Sequence, residues 1–361
     1  MKFTAKASAL VAALEPCVRV VASKQVIPVL ANVLIEASKE AVKFTCSNLD
    51  QTACAQSVAD IESPGKITVP AARLLGVLKN ISPDAACSVV LDNDLTIKSG
   101  RSRATLRTLP AEDFPELKPE FTASLQLAPA EIIAAFGAVA YAASTEETRY
   151  YLCGVHMVST RGIDFVATDG HRLALFNFGT EAPEFRSIII PSEAVKQFMS
   201  LASAAKESEQ ATLDISEQLV RLSFASGAWL TTRTIDGTFP RYQAISDVPV
   251  NDIATVDRRA LIQAVNMAAS ACDVRSSIAI ELTEGLCSIR GRAKDEGDAQ
   301  AEIDAEVSTA HEFFINHNYL SATLSALTGN RVRIAFNEAK TAAHFFGDVS
   351  SGQAVIMPTE F

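Results

Sequence analysis

The chain repeats one pattern three times, and this repeat limits the folds that it can adopt. The segments ITVPAARLLGVL, IIIPSEAVKQFM and FFINHNYLSATL occupy residues 67–78, 188–199 and 313–324 and align without gaps. In each segment an apolar strand end is followed by Pro or Asn and then by a helical pattern with apolar eighth and twelfth residues. The pattern predicts the same strand-to-helix unit at three places.

The spacing of the repeat is that of a domain. Pro70, Pro191 and Asn316 are separated by roughly 120 residues, and Phe114-Pro115 recurs at a similar distance as Phe239-Pro240. A repeat of this length is too long for a solenoid, so the sequence predicts three copies of one domain. Polar, proline-containing stretches at 110–124 and 239–254 favour domains at 1–122, 123–247 and 248–361.

The sequence pattern of each third predicts two helices and several antiparallel strands. The first helices are expected at 6–22, 129–143 and 257–271, with Pro129 as first helical residue and Asp257 as N-cap. The second helices follow Pro70, Pro191 and Asn316. Short β-patterned stretches fill the rest, with hairpin turns at Asp92-Asn93, Ser216-Glu217 and Asn337-Glu338. The predicted fold class is therefore α+β, built from tandem two-helix domains with antiparallel sheets.

Composition restricts the compartment and the chemistry. With 48% hydrophobic and 20% charged residues and no apolar run near 20 residues, the chain is expected to be soluble. Lys2 and Lys6 precede an apolar stretch as in a signal peptide, but Glu15, Pro16 and Arg19 interrupt it, which favours a cytoplasmic protein. Seven cysteines without a CxxC pair predict reduced, mostly buried thiols. Phosphate-loop, dinucleotide and zinc-protease motifs are missing, so we expect neither cofactor nor metal.

Charge gives two further indications. The net charge of −10 argues against a protein that holds nucleic acid by tight phosphate contacts alone. Basic residues 101, 103 and 107 in the first third and acidic residues 295, 296, 298, 302, 304 and 306 in the last third could be solvated surface. They could instead guide a head-to-tail contact between two chains.

Two motifs lie in the middle third. RYYLCG occupies 149–154 and TDGHRLA occupies 168–174, where Asp169-Gly170 predicts a type I′ hairpin turn. A hydrolase that uses Asp169 or His171 is the catalytic alternative. The chain has no GxSxG elbow, which disfavours this alternative.

A head-to-tail pair of three-domain chains can close a ring of six domains. Two helices from each domain could then line its hole. At about 9 Å between helix axes, the hole would be roughly 25 Å wide, enough for a DNA duplex.

The sequence resembles the bacterial sliding clamps, the beta subunit of the replicative DNA polymerase III holoenzyme. The resemblance rests on MKFT at the start, SGRSRATLRTLPAEDFPEL, RYYLCGV, VATDGHRLAL, DGTFPRY and VIMPTEF at the end, in order over residues 1–361. It implies the clamp fold, a homodimeric ring of six domains with helices inside, and a processivity factor with no active site. The implied partners are duplex DNA, an ATP-driven clamp loader, the replicative polymerase and other proteins that bind clamps.

The resemblance also implies site residues. The family's partner-peptide pocket corresponds here to Leu152, Thr168, Gly170, His171, Arg172, Leu173, Pro240, Ile245, Asn316, Tyr319, Val355, Met357 and Pro358. Positions expected to contact DNA are Lys24, Arg73, Arg149, Tyr150 and Tyr151. The expected dimer contact comprises Arg101, Arg103, Ala104, Leu106, Ser270, Ala271, Asp295, Glu296, Asp298 and Glu302.

Some residues depart from the family pattern. Ala244 stands where Arg is common, Thr359 where Met is common, and Glu146 where neutral Gln is common. Ser270 and Ala271 stand where larger apolar residues are common, so less apolar area can be buried at the dimer contact. We therefore expect a weaker dimer that depends more on the pairing of Arg with acidic residues. The alternatives are a three-domain scaffold that does not encircle DNA and a paralogous clamp with altered partners.

Overall fold

A computed structural model describes residues 1–21, 27–39, 41–116, 119–179, 183–272, 277–293, 297–349 and 352–359. Its α-helices are α1 Ala7–Val18, α2 Ala71–Lys79, α3 Pro129–Gly137, α4 Ser192–Ala204, α5 Gln243–Ser246, α6 Arg258–Ala269 and α7 His317–Ala326. Short 3-10 helices occupy Pro28–Ala31, Ala111–Asp113, Ala140–Ala142 and Glu147–Leu152.

Strands make up most of the regular secondary structure in the described residues. In the first third they are β1 Lys2–Lys6, β2 Asn32–Ser38, β3 Ala41–Ser47, β4 Gln51–Val58, β5 Asp60–Ser63, β6 Gly65–Pro70, β7 Ala86–Leu91, β8 Leu95–Ser99 and β9 Ser102–Leu106. In the middle third they are β10 Ala123–Leu127, β11 Gly154–Ser159, β12 Ile163–Thr168, β13 Arg172–Phe178, β14 Ile188–Pro191, β15 Ala211–Ile215, β16 Leu219–Phe224 and β17 Trp229–Arg233. In the last third they are β18 Val250–Asp257, β19 Ser277–Thr283, β20 Leu286–Ala293, β21 Gly297–Val307, β22 His311–Asn316, β23 Arg331–Asn337, β24 Ala343–Gly347 and β25 Gly352–Ile356.

The threefold strand-to-helix unit is confirmed residue by residue. Strands β6, β14 and β22 end at Pro70, Pro191 and Asn316, and helices α2, α4 and α7 begin at the next residue. In α7 the Asn316 side chain accepts hydrogen bonds from the amides of Asn318 and Tyr319, at 2.9 and 3.3 Å. Proline supplies no such cap but fits the residue before a first helical turn, so both residue types end the strand and start the helix.

The first helix of each third also forms, but it is shorter than the sequence predicts. Helix α3 begins at Pro129 as expected and ends at Gly137, where the predicted 129–143 helix gives way to the 3-10 turn Ala140–Ala142. Helix α6 is capped by Asp257, whose Oδ1 accepts from the Ala260 amide at 2.8 Å, as predicted. The apolar periodicity predicts the correct buried face of each helix but too many helical residues, because the apolar pattern continues into turns that pack on the same core.

Among the described residues, all strand pairings are antiparallel and the strands form three sheets. Their orders are β5-β1-β7-β8-β9, then β10-β15-β16-β17-β4-β3-β2-β6, and β14-β11-β12-β13-β25-β24-β23-β18-β21-β20-β19-β22. Strand β17 of the middle third pairs with β4 of the first, and β25 of the last third pairs with β13 of the middle. Sequence periodicity places strands within each third, but it does not reveal that sheets continue from one third to another.

The chain divides into two compact units. One comprises Met1–Glu131 and Lys196–Thr234, and the other comprises Ile132–Val195 and Ile235–Phe361. In the first unit α1 packs on β3, β4 and α2, and in the second α6 packs on β20 and β21. Five of the seven free thiols are buried, as predicted, and burial raises the pKa of the Cys17 thiol well above its usual range.

Among the described residues, no helix is long and apolar enough to cross a membrane. Within the same ranges, no group of three or more His, Cys, Asp or Glu side chains is arranged to hold a metal ion.

Candidate functional site

An apolar cluster in the second compact unit forms the floor of the candidate site. Strand register places Leu173 of β13 opposite Val355 of β25. Around this pair lie buried side chains from the 3-10 helix Glu147–Leu152, from β12 and β14, from 239–242 and from the loop before β24. The buried cluster is Leu152, Val166, Leu173, Ile189, Phe239, Tyr242, Ala342 and Val355. Ile245 and Met357 keep 40% and 41% of their surface exposed. An apolar cluster with exposed apolar residues beside it is typical of a surface that binds a ligand.

Short helix α5 is joined to this part of the sheet by hydrogen bonds. The Gln353 side-chain amide donates to the Ser246 carbonyl at 3.3 Å, and the Tyr242 hydroxyl donates to Asp164 at 2.7 Å. The Met357 amide donates to the His171 carbonyl at 3.0 Å. These bonds fix the segments that carry Ile245 and Met357 to the sheet that carries Leu173.

The loop between β12 and β13 has a conformation that the sequence did not predict. Gly170 has φ +90°, but the non-glycine residues with positive φ in the described ranges are Lys39, Leu49 and Lys340, so Asp169 has negative φ. The hairpin is confirmed and the type I′ turn is wrong, since that turn needs positive φ at both central residues. Instead the Asp169 carboxylate accepts from the amides of His171 and Arg172, at 2.9 and 3.1 Å. The aspartate side chain therefore shapes the loop.

Asp169 also fixes the Arg172 side chain. Arg172 Nε donates to Asp169 Oδ2 at 3.0 Å, and both side chains are only 14% exposed. The guanidinium lies 4.6 Å from the ring centre of Tyr319 and 5.4 Å from that of Tyr141. An ion pair and two aromatic contacts hold this cation in one place at the edge of the apolar floor.

Tyr141 was missed by the sequence analysis. Thr323 of α7 donates to its hydroxyl at 3.1 Å, and burial raises the pKa of Tyr141 to about 12, so the phenol stays protonated. No pattern in the sequence marks Tyr141, because its partners lie far away along the chain. His156 and Asp164 were missed for the same reason.

His156 supports the floor from one side. Its ring stacks on Phe239, with centroids 4.5 Å apart and planes at 3°, and its Nδ1 has no hydrogen-bond partner among the described residues. Burial lowers the pKa of His156 from 6.5 to about 4, so the ring is neutral at physiological pH. This neutral histidine acts as an aromatic packing residue.

The thirteen predicted pocket residues all lie in this compact unit. Leu152, Leu173 and Val355 are in the floor, and His171 stacks on Tyr319 with centroids 6.2 Å apart. Asn316 begins α7, and its side-chain oxygen is used by the helix cap. The other predicted residues lie in or next to named elements. Thr168, Gly170 and Arg172 are in the β12–β13 loop region, Pro240 and Ile245 are just before and within α5, and Met357 and Pro358 follow β25.

The residues predicted to contact DNA are found in different surroundings. Arg149 forms an ion pair with Glu146, with Nε 2.8 Å from Oε2, which reduces the charge that Arg149 could offer a phosphate. Tyr150 is 54% exposed and packs edge-to-face on Tyr151, at 5.7 Å. Arg73 lies in the first compact unit, and Lys24 lies outside the described residues.

Most of the described residues predicted at the dimer contact lie on or beside two open sheet edges. Strand β9, with Arg103, Ala104 and Leu106, is the last strand of its sheet and pairs with β8 alone among the described strands. A groove of about 950 Å³ beside it is lined by residues of α2, β8 and β9 and includes Arg73. Arg101 is exposed in the turn before β9.

The second open edge is the first half of β21. Among the described strands, Gly297–Asp304 pair with β20 alone, whereas Ala305–Val307 pair with β18. Asp298 and Glu302 are exposed on this half. Ser270 and Ala271 follow α6, which packs on β21. Asp295 and Glu296 lie outside the described residues.

Comparison with known protein families finds the DNA polymerase III beta subunit over nearly the whole chain. Residues 1–118 match its N-terminal domain, 126–241 its central domain and 249–360 its C-terminal domain. The beta sliding clamp of Caulobacter vibrioides is 32% identical over 374 aligned positions, which cover 99% of each chain.

Solved structures agree with the sequence comparison. The DNA polymerase sliding clamp from Caulobacter crescentus matches with a TM-score of 0.89 and 30% identity over all of both chains. A Pseudomonas aeruginosa sliding clamp bound to griselimycin matches with a TM-score of 0.93 and 26% identity, again over all of both chains.

The buried His156 predicts a change of stability with pH. Its pKa is about 4 in the folded protein, so the unfolded chain takes up more protons between pH 4 and 6.5. The free energy of unfolding should therefore decrease as pH falls through this window, by on the order of 3 kcal/mol. In His156→Phe, which keeps an aromatic ring on Phe239, this part of the decrease should disappear in urea unfolding measured from pH 4 to 6.5. His311 and His344 remain in both proteins, so equal slopes would contradict the assignment to His156.

Proposed function

The chain belongs to the beta subunit family of DNA polymerase III, the DNA sliding clamps, and on that premise we propose that two copies close a ring around duplex DNA. The observation that carries the proposal is the ordered match of all three family domains to a chain that repeats one strand-to-helix unit three times. We assign the domains to 1–122, 123–247 and 248–361. Six such domains would form the ring, with their helices towards the DNA.

A ring explains how an acidic protein works on DNA. It holds the duplex by enclosing it, so the net charge of −10 does not prevent retention. Lys24, Arg73, Arg149, Tyr150 and Tyr151 then need to supply only weak, salt-sensitive contacts that permit sliding. The clamp would tether the replicative polymerase in the cytoplasm after an ATP-driven loader has opened the ring. Its role is processivity and not catalysis.

The two open sheet edges support a head-to-tail dimer. We propose that β9 of one copy pairs with the first half of β21 of the other, which would satisfy both rows of free backbone groups. Arg101 and Arg103 at one edge would face Asp298 and Glu302 at the other, with Asp295 and Glu296 nearby. Ser270 and Ala271, which follow α6, would enter the groove beside Leu106.

We propose that the apolar floor around Leu173 and Val355 binds short peptide segments of partner proteins. Ile245 and Met357 would cover apolar anchors of the peptide, and the fixed Arg172 would donate to its backbone or carboxylates. Such a groove can supply the roughly −8 kcal/mol of micromolar binding, which lets partners exchange.

Retention on circular DNA tests the ring. Labelled protein, loaded by a clamp loader and ATP onto a nicked circular plasmid, should co-elute with DNA in gel filtration because it cannot leave a closed circle. Cutting the plasmid once should release it, since a ring slides off an end. A scaffold that does not encircle DNA would stay equally bound to circular and linear DNA, and that result would refute the ring.

Charge reversal tests the dimer contact. Arg103→Glu should raise the dimer dissociation constant roughly tenfold at low salt, because it places like charges on the two edges. Sedimentation across protein concentrations measures this constant, and adding Asp298→Arg should recover part of the loss. Arg161→Glu alters an exposed charge in the β11–β12 turn and serves as the control. A dissociation constant that is insensitive to both Arg103→Glu and salt would contradict the pairing.

Griselimycin is bound by a Pseudomonas aeruginosa sliding clamp, and we propose that in this chain it binds the apolar floor around Leu173 and Val355. Ile245→Ala and Met357→Ala should each weaken its binding by about tenfold in calorimetric titration, because each removes exposed apolar contact area. The matched control is Ile133→Ala, which removes a side chain of similar exposure, 38%, from α3. Unchanged binding in both groove variants would place the ligand elsewhere.

A further inference from the structure

In each third of the chain, the segment that follows the last strand crosses the strand that precedes the second helix. Leu109 follows β9 and exchanges two backbone hydrogen bonds with Thr68 of β6, at 3.0 and 3.1 Å. Ile235 follows β17, and its amide donates to the carbonyl of Ile189 in β14 at 2.8 Å. Both contacts involve the second residue of the repeated strand-to-helix unit.

The third crossing has the same position but a different use. Thr359 follows β25, and its amide donates to the carbonyl of Phe314, the second residue of FFIN, at 2.9 Å. In the first two thirds the crossing leads into the next third of the chain. In the last third the crossing segment, Met357–Thr359, includes a residue of the proposed groove, since Met357 is 41% exposed beside the apolar floor.

The crossing segment joins two sides of the groove. At one end the Met357 amide donates to the carbonyl of His171, in the loop between β12 and β13, at 3.0 Å. At the other end Thr359 is bonded to Phe314 of β22, the strand that leads into α7 and Tyr319. His171 and Tyr319 stack with centroids 6.2 Å apart, so the stack and the crossing segment connect the same two parts of the fold.

A contact between two side chains reinforces one end of the crossing segment. The hydroxyl oxygens of Thr359 and Ser277 lie 2.6 Å apart, within hydrogen-bond distance. Ser277 begins β19 and pairs with Asn316, the last residue of β22, so the segment is bonded to two neighbouring strands. Pro358 lies between Met357 and Thr359. Because the proline ring restricts φ, holding Thr359 limits the conformations open to Met357.

We propose that Ser277 and Thr359 are positioning residues, which hold the crossing segment so that Met357 covers a ligand on the apolar floor. Neither side chain belongs to the buried cluster of the floor, since Thr359 is exposed and Ser277 is half-buried. Because they act through Met357, their role rests on the ligand binding proposed for this groove. A segment that is already held in place loses less conformational entropy when the ligand binds, so the hydroxyl pair strengthens binding.

The hydroxyl pair gives a reason for one departure from the family pattern. Methionine is common where this chain has Thr359, and its thioether has no proton to donate and accepts only weakly. A methionine there could offer apolar surface but no comparable bond to Ser277. In this chain the position fixes the crossing segment, and the apolar cover is left to Met357 and Ile245.

Removing the hydroxyl pair from the full-length protein tests the positioning role. Thr359→Val and Ser277→Ala should each weaken griselimycin binding about threefold in calorimetric titration. The double variant should bind no more weakly than the single variants, because all three lose the same contact. Thr359→Ser keeps a hydroxyl and should restore binding. The urea midpoint of unfolding should be the same in all four variants, because the pair lies at the surface.

Amide hydrogen exchange measures the same contact without a ligand. In Thr359→Val the amides of Met357 and Thr359 should exchange about threefold faster, because the crossing segment opens more often. Amides of β12 should keep their rates. The matched control is Thr212→Val, which removes a threonine hydroxyl that is bonded to Gln126 at 2.9 Å in the first compact unit. This control should change neither griselimycin binding nor exchange at Met357.

The outcomes separate this role from the groove itself. If Ile245→Ala and Met357→Ala weaken griselimycin binding but the two hydroxyl variants do not, the positioning role is wrong and the groove stands. If none of these variants weakens binding, the groove and the positioning role both fail. Unchanged exchange at Met357 in Thr359→Val would also overturn the positioning role. So would an equal loss of binding in Thr212→Val, since the effect would then not come from the contact with Ser277.

Discussion

Hydrogen bonding between strands that are far apart in the sequence is the constraint on which the rest of the structure depends. In the second compact unit, β13 pairs with β25, and more than half of that unit's residues lie between the two strands in the sequence. In the first unit, β4 pairs with β17, which belongs to the middle third of the chain. These pairings satisfy edges that would otherwise be open, and they fix register with a period of two. A shift of one residue would turn Val355 away from Leu173 and remove the apolar floor.

The candidate site combines an apolar surface with one positive charge that is held in a fixed position. Its apolar part comes from side chains that the sheet already buries, with Ile245 and Met357 left partly exposed beside them. Its polar part is one arginine, held by a carboxylate at 3.0 Å and by two tyrosine rings. Because Arg172 is already ordered, its side chain would lose little further conformational entropy on contacting a peptide bound as proposed.

Strands β17-β4-β3-β2-β6 of the first compact unit pair in the same order as β25-β13-β12-β11-β14 of the second, so each unit contains one copy of a five-stranded frame whose positions can be equated. Asn48 and Asp169 shape equivalent loops, and Phe114 and Phe239 occupy equivalent walls, so these residues serve the frame. Thr52 and Leu173 are equivalent but differ in polarity, as do Trp229 and Gln353. These differences give the second compact unit an apolar floor and the first a floor of threonines.

The sequence by itself determined the threefold repeat, the helix starts at Pro129 and after Pro70, Pro191 and Asn316, and the antiparallel hairpins, because these depend on neighbouring residues. It also carried the family resemblance, which the comparisons confirm over the whole chain. The tertiary structure alone decided the end of α3 at Gly137 and the Asp169-capped loop in place of a type I′ turn. It alone also brought Tyr141 to Arg172, since the distance between these residues along the chain leaves no local pattern to read.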